Sequence, residues 1–241
     1  TQGNWSEALT QYMGDYYQAE LRDSEEAQRM RGDWLRDQAA LPAAADYPLG
    51  GFRSKASRVD DIVGYQRGAW LFHTLRRTLG DDGFTAAVRT FYQTHRHRWA
   101  SWNDLRTAFA AVVAAESDDS ATLSALFDHF LTTTGAPQLE LTRWQTIAED
   151  DGYRVEAELL WEGGYPVRVP LRVKMQDGRL VTTEAHLAAE ERKTVTVSTA
   201  ERPLRLAVDP THQLYRQLAP GEGVPILRRS EERRVGKECM R

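Results

Sequence analysis

The sequence predicts an α+β fold in two domains: a helical domain over residues 1–136, then a small β-sandwich over 137–227. Three observations carry this. Apolar residues recur at helical spacing from Trp5 to about Phe130. From Gln138 onward the period falls to two, with Tyr153, Val155, Ala157, Leu159 and Trp161 alternating with polar neighbours. Between the two regimes stand only Thr134–Pro137, a linker short enough that the halves must pack together.

The first helix is predicted from Trp5 to about Leu21, with Trp5, Leu9, Tyr12, Met13 and Tyr16 at helical spacing. Ser24 is the expected N-cap of a second helix through Met30, Trp34 and Leu35. Pro42, Pro48 and the Gly50-Gly51 pair then break the pattern, so Leu41 to Asp60 reads as a long loop of the kind that forms lids and binding segments. A third helix is expected from about Asp61 to Leu79, along the stripe Ile62, Tyr65, Ala69, Phe72, Leu75 and Leu79, with Gly80 as its stop. Asp81 or Asp82 opens the next helix, through Phe84, Val88, Phe91 and Tyr92. Ser101-x-x-Asp104 resembles a capping box ahead of Leu105, Phe109 and Val112. Asp119 or Ser120 is the expected cap of a last helix through Leu123, Leu126, Phe127 and Phe130.

In the second half Val167, Val169, Leu171, Val173 and Met175 repeat the alternation, and Asp177-Gly178 marks a hairpin. Further strands are expected near Leu180–Leu187, Thr194–Ser198 and Leu204–Val208, about six in all, which suits a small sandwich. Asp209–Pro225 reads as irregular chain.

Composition narrows the function. The 241 residues are 41% hydrophobic and 27% charged, with a net charge of −4. That is a core-forming chain. No basic block lies in its body, so nucleic acid is not an expected partner. No apolar run approaches the roughly 20 residues of a membrane span. Cys239 is the single cysteine, which excludes an intrachain disulfide or a cysteine zinc cluster. It falls in Arg229–Cys239, a stretch that resembles an in-frame translation of a short-read sequencing adapter. Residues 228–241 are therefore read as a non-native tail and kept out of the fold.

Two residues are singled out for chemistry. Glu7 stands in Asn4-Trp5-Ser6-Glu7-Ala8-Leu9-Thr10-Gln11-Tyr12, and Tyr65 in Val63-Gly64-Tyr65-Gln66-Arg67-Gly68-Ala69. Alone, Glu7 reads as a first-turn carboxylate favoured by the helix dipole. Alone, Tyr65 reads as an aromatic on an apolar stripe. Taken in order, the two segments resemble those of the M1 family of zinc aminopeptidases, the gluzincins. The likeness continues through Leu75-Arg76-Arg77-Thr78-Leu79-Gly80-Asp81-Asp82-Gly83-Phe84, Trp102–Leu105 and Phe127–Pro137. It extends to Val208-Asp209-Pro210 and Tyr215-Arg216-Gln217-Leu218 in the second half, and so covers most of residues 1–227. The chain departs from the family pattern at Ser6, at Ala8 where glycine is common, and at Arg67 where lysine is usual.

The resemblance implies the helical C-terminal part of a gluzincin catalytic domain followed by its β-sandwich. It implies Zn²⁺ as cofactor, a peptide as substrate, Glu7 as the third zinc ligand and Tyr65 as the donor to the oxyanion. The family's His-Glu-x-x-His helix lies roughly twenty residues before that glutamate. This sequence has no such motif, so the chain reads as a fragment that lacks the N-terminal half of its own protein, two zinc ligands and the general base, and is inactive alone. His73, His95, His97, His129, His186 and His212 form no helical metal pair and receive no metal role. Arg53, Lys55 and Arg58, in the loop before Tyr65, read either as substrate contacts or as ordinary solvated charges. The alternative to a peptidase is a pseudo-enzyme or protein-interaction scaffold on the same fold.

Overall fold

The computed structural model describes residues 4–113, 118–219 and 221–222. The segment read as a non-native tail, 228–241, lies outside them. Helix and sheet are segregated along the chain, giving a mixed α and β architecture.

Helix α1 (Trp5–Thr10) continues through a π-helical segment (Gln11–Tyr16) into α2 (Tyr17–Arg22). Asn4 caps it by accepting from the Ser6 amide at 3.2 Å. The fully buried stripe is Ala8, Tyr12, Tyr16 and Ala19, while Trp5, Leu9 and Met13 are only partly covered. Across the π turn the buried residues keep the spacing i, i+4, i+8 and i+11 of an ordinary helical face. Helix α3 (Ser24–Ala40) follows. Its cap is Asp23, not Ser24: the Asp23 carboxylate accepts from the Glu25 amide at 2.8 Å, and Ser24 is the first helical residue.

The loop after α3 contains two 3₁₀ turns, Ala43–Ala45 and Leu49–Gly51. Helix α4 (Arg58–Asp60) starts a turn earlier than the stripe suggests, because Ser57 caps it through the Asp60 amide at 3.2 Å. It runs into a second π-helical segment (Asp61–Arg67) and then α5 (Gly68–His95). Gly80, with φ of 72°, breaks α5 where the sequence predicts a stop. Helix α6 (Trp102–Ala110) opens with a complete capping box: Asp104 N–H donates to Ser101 Oγ at 3.3 Å, and Ser101 N–H donates to Asp104 Oδ2 at 2.7 Å. Helix α7 begins at Asp118, so Asp119 and Ser120 lie inside its first turn; it ends at Thr132.

The strands are β1 (Gln138–Glu149), β2 (Gly152–Glu162), β3 (Val167–Met175), β4 (Leu180–Leu187), β5 (Arg192–Thr199) and β6 (Pro203–Val208). They form two antiparallel three-stranded sheets, ordered β1-β2-β5 and β4-β3-β6. The Asp177-Gly178 turn joins β3 to β4, with Gly178 at φ 86°. Alternate residues, Val155, Ala157, Leu159 and Trp161 from one sheet and Val169, Leu171 and Val173 from the other, are buried in a common core, as in the layers of a sandwich.

That core is continuous with the helical one; a single cluster of buried residues runs from Ala8 to Tyr215. The irregular segment after β6 makes the join. Its Tyr215 hydroxyl donates to the Gly135 carbonyl at 2.8 Å, and Gln217 N–H donates to the Pro137 carbonyl at 2.7 Å. Arg31, buried in α3, donates to the carbonyls of His212 at 2.7 Å and Thr211 at 3.0 Å. The segment's shape is held by Asp209, whose buried carboxylate accepts from the Gln213 amide at 2.6 Å and from Arg216 Nε at 3.1 Å. Glu222 completes the charge balance on Arg216 at 2.7 Å. The Val-Asp-Pro and Tyr-Arg-Gln-Leu motifs are thus two sides of one ion pair.

Candidate functional site

Glu7 lies in the first turn of α1, and Tyr65 lies in the π-helical segment that precedes α5. The two helices cross at their smallest side chains. A Cβ placed on Gly68 would sit 2.3 Å from the Cβ of Ala8. Only a glycine permits that approach. Ala8 adjoins Glu7, and Gly68 is three residues past Tyr65, so the crossing point brings the carboxylate and the phenol together.

Both side chains are half-buried. The Glu7 carboxylate lies near enough to the Tyr65 hydroxyl to act on it. Partial burial, then the neighbouring carboxylate of Glu7 and the negative charge of Asp61, raise the Tyr65 pKa above its ordinary value. The phenol is therefore held in its protonated, donating form throughout the neutral range.

The walls around Tyr65 come from the loop before it. Phe52 is fully buried and meets the Tyr65 ring edge-on, with centroids 5.8 Å apart at 72°. Gly64 makes room for it, because a Cβ there would lie 2.4 Å from the Phe52 ring. The Asn4 amide donates to the Phe52 carbonyl at 3.1 Å, which ties the approach to α1 to the same loop. The Lys55 ammonium lies 5.2 Å from the Tyr65 ring centroid and pairs with Asp61 at 2.6 Å. Arg58 pairs with Asp37 and Asp61. Arg53 donates to the Gly50 carbonyl at 2.9 Å. Of the three loop cations, Lys55 is the one placed against Tyr65.

Arg67 fills a structural role. It is buried, pairs with Asp46 at 2.6 Å, and donates to Gln38 Oε1 at 2.9 Å and to the Tyr47 carbonyl at 2.9 Å. Asp46 also accepts from the Gly135 amide at 2.6 Å. Arg67 therefore locks α3, the loop and the linker onto the helix that carries Tyr65. The residues that spacing alone does not single out are Phe52 and Asp61. The signal for Phe52 is the Gly64–Gly68 pair flanking Tyr65, which marks a helix approached closely on two sides.

Among the described residues no group of three or more His, Cys, Asp or Glu side chains is placed to hold a metal ion. Glu7 offers one carboxylate, and the described residues by themselves do not make a zinc site. The six histidines lie elsewhere: His95 stacks on Phe91 with His97 close by, while His73, His129, His186 and His212 sit at the junction of the helical and sheet halves. A cavity of about 760 Å³ also lies at that junction, lined by Thr78, Ala125, Val167, Leu187 and Tyr215 among others. Among the described residues no helix is long and apolar enough to cross a membrane.

No protein-family model matches the chain, and no curated protein matches it. Among solved structures, 54 chains match. One is the crystal structure of Legionella pneumophila aminopeptidase A in complex with aspartic acid, with a TM-score of 0.55 and 12% sequence identity. The match covers 89% of this chain and 24% of that one. The chain thus spans about a quarter of the length of the aminopeptidase. At this identity the likeness is one of fold.

Proposed function

We propose that this chain carries part of the active site of a zinc-dependent aminopeptidase of the M1 type, which removes N-terminal residues from peptides. The observation that supports the reading best is the contact between Glu7 and Tyr65. Two segments that together resemble the family in sequence meet at one helix crossing. The fold shared with an aminopeptidase supports it at the level of architecture.

In this reading Glu7 is the carboxylate ligand. Bound zinc would supply Lewis-acid polarisation of the scissile carbonyl. Tyr65 holds a proton at its hydroxyl oxygen across the neutral range and offers it as a hydrogen bond to the oxygen on which negative charge builds. Phe52 and Gly64 fix the ring, and Lys55 stands beside it. The described residues supply one ligand where catalytic zinc takes three from protein, so these residues alone are inactive.

The deciding experiment is Tyr65→Phe in a full-length, zinc-loaded protein that carries this chain, assayed on aminoacyl arylamides. Loss of one oxyanion donor lowers kcat by about 10²–10³ with zinc content and circular dichroism unchanged. Unchanged turnover would instead support a scaffold on the same fold.

A further inference from the structure

Four of the six histidines lie where the helical half meets the sheet half; His186 lines the cavity there and is exposed, while the other three each keep one buried ring nitrogen without a hydrogen-bond partner. His73, on α5, is buried; its Nε2 faces Gln213 Oε1 at 3.2 Å, and its Nδ1 has no partner. His129, on α7, packs edge-on against Tyr165 of the β2–β3 loop at 5.0 Å, and its Nε2 has no partner. His212, in the segment after β6, lies 3.2 Å from where a Cβ on Gly32 of α3 would be, and its Nδ1 has no partner. Each ring spans from one half to the other.

We propose that this junction is an acid-operated latch: protonation of His73, His129 and His212 loosens the segment after β6 and the β2–β3 loop from the helices, before either half loses its own fold.

The surroundings make the charged form costly. The groups facing His73 are Arg76 and Arg77 of its own helix, Arg31 of α3, Tyr12 and Tyr16 of the first π segment, and Gln213. Glu20 and Glu184 line the small cavity beside it. Burial and the three guanidiniums hold His73 well below the usual imidazole range. His129 faces Tyr165, Phe130 and the charge of Arg67, and burial lowers it to about 4. His212 faces Asp209 and Glu222, which favour its charge, and Arg216 and Arg31, which oppose it; burial decides the sign and lowers it. A proton on an orphaned nitrogen adds an N–H donor with no acceptor in a buried junction. The cavity of about 760 Å³ at the same junction leaves room for the two surfaces to part.

The window follows from the direction of the shifts. In the unfolded chain these imidazoles take up protons near pH 6.5, whereas the closed junction resists until about pH 4 at His129. The stability of the closed state is therefore complete above pH 6.5 and is lost as pH falls toward 4. Only its upper part, above about pH 5, lies clear of the range in which ordinary carboxylates protonate.

The test is amide exchange on the whole chain at pH 7 and pH 4.5, corrected for intrinsic rates. The expected result is about a hundredfold more exchange at pH 4.5 in residues 211–217 and in the β2–β3 loop, with β1 and β2 unchanged. His73→Gln/His129→Gln/His212→Gln should abolish the difference, and His95→Gln/His97→Gln should retain it. Equal response in both variants, or none until below pH 4, overturns the proposal. If the first triple variant does not fold, titration of the wild-type imidazoles by nuclear magnetic resonance decides. Suppressed values at His73 and His129 support the latch, and ordinary values near 6.5 at both overturn it.

Discussion

A methyl group on Gly68 would lie 2.3 Å from the Cβ of Ala8. The distance between α1 and α5 is set there, and with it the contact between Glu7 and Tyr65. Gly68→Ala should destabilise the chain by about 1–3 kcal/mol, the usual cost of overpacking. Ala8→Gly in the same background should restore most of the loss by removing the opposing methyl. Urea unfolding monitored by tryptophan fluorescence measures both. A Gly68→Ala chain as stable as the wild type would mean that the helices are not in contact at this point.

Glu7→Gln removes a negative charge and a strong acceptor from the Tyr65 hydroxyl. The Tyr65 pKa should therefore fall toward its ordinary value, since both lost interactions favoured the neutral phenol. Tyrosinate absorbance between pH 8 and 12, taken as the difference between each protein and its Tyr65→Phe counterpart, isolates this one group. An identical difference curve with and without Glu7 would show that the two side chains do not meet.

Arg67 occupies a position where the resembling family has lysine, and its guanidinium reaches three acceptors on two segments, Gln38 of α3 and Asp46 and Tyr47 of the loop. Lysine has no planar fork and cannot serve them together. Arg67→Lys should cost about 1–3 kcal/mol, as hydrogen bonds to a charged group are lost. Arg67→Met should cost about 3–5 kcal/mol, because Asp46 is left buried without its countercharge. Thermal unfolding at pH 7 ranks the three. If Arg67→Met matched the wild type, the pair would be a bystander rather than a clamp.

Zinc retention by the 241-residue chain should be weak, since one carboxylate is offered where three protein ligands are needed. Competition with a chromophoric chelator followed by elemental analysis reads this directly. Stoichiometric zinc that survives the chelator and disappears in Glu7→Gln would contradict it and reveal ligands outside the group considered.

Much of this arrangement can be read from the residues in order. Gly80, the Ser101–Asp104 box and the Asp177-Gly178 turn act through local backbone chemistry, so their effects fall where short motifs place them. The alternation from Val155 to Trp161 survives, and that from Val167 to Met175 is broken only at Pro170, which is buried, because a half-buried strand admits no other period. The π turns are different. At Gln11–Tyr16 the buried face still runs Ala8, Tyr12, Tyr16 and Ala19 at helical spacing, so the sequence shows the face but not the π hydrogen bonding beneath it. Glu7 and Tyr65 could be named from their motifs, but their meeting depends on Ala8 and Gly68. Two small residues far apart carry no periodic signal of contact. The same holds for Asp209 and Arg216, where a turn at φ 46° folds the chain back on itself.

The bonds from Arg31 to the carbonyls of Thr211 and His212 also bear on the order in which the chain is made. Once made, the Arg31 guanidinium waits for acceptors that follow about 180 residues later, a delay of roughly 10–40 s at ordinary elongation rates. Until those residues are made, Arg31, Trp70 and Phe130 lack the cover of Tyr215 and its neighbours. The nascent helical half thus keeps an open aromatic face until residues 211–217 follow it, and synthesis stalled near residue 208 leaves that junction bare.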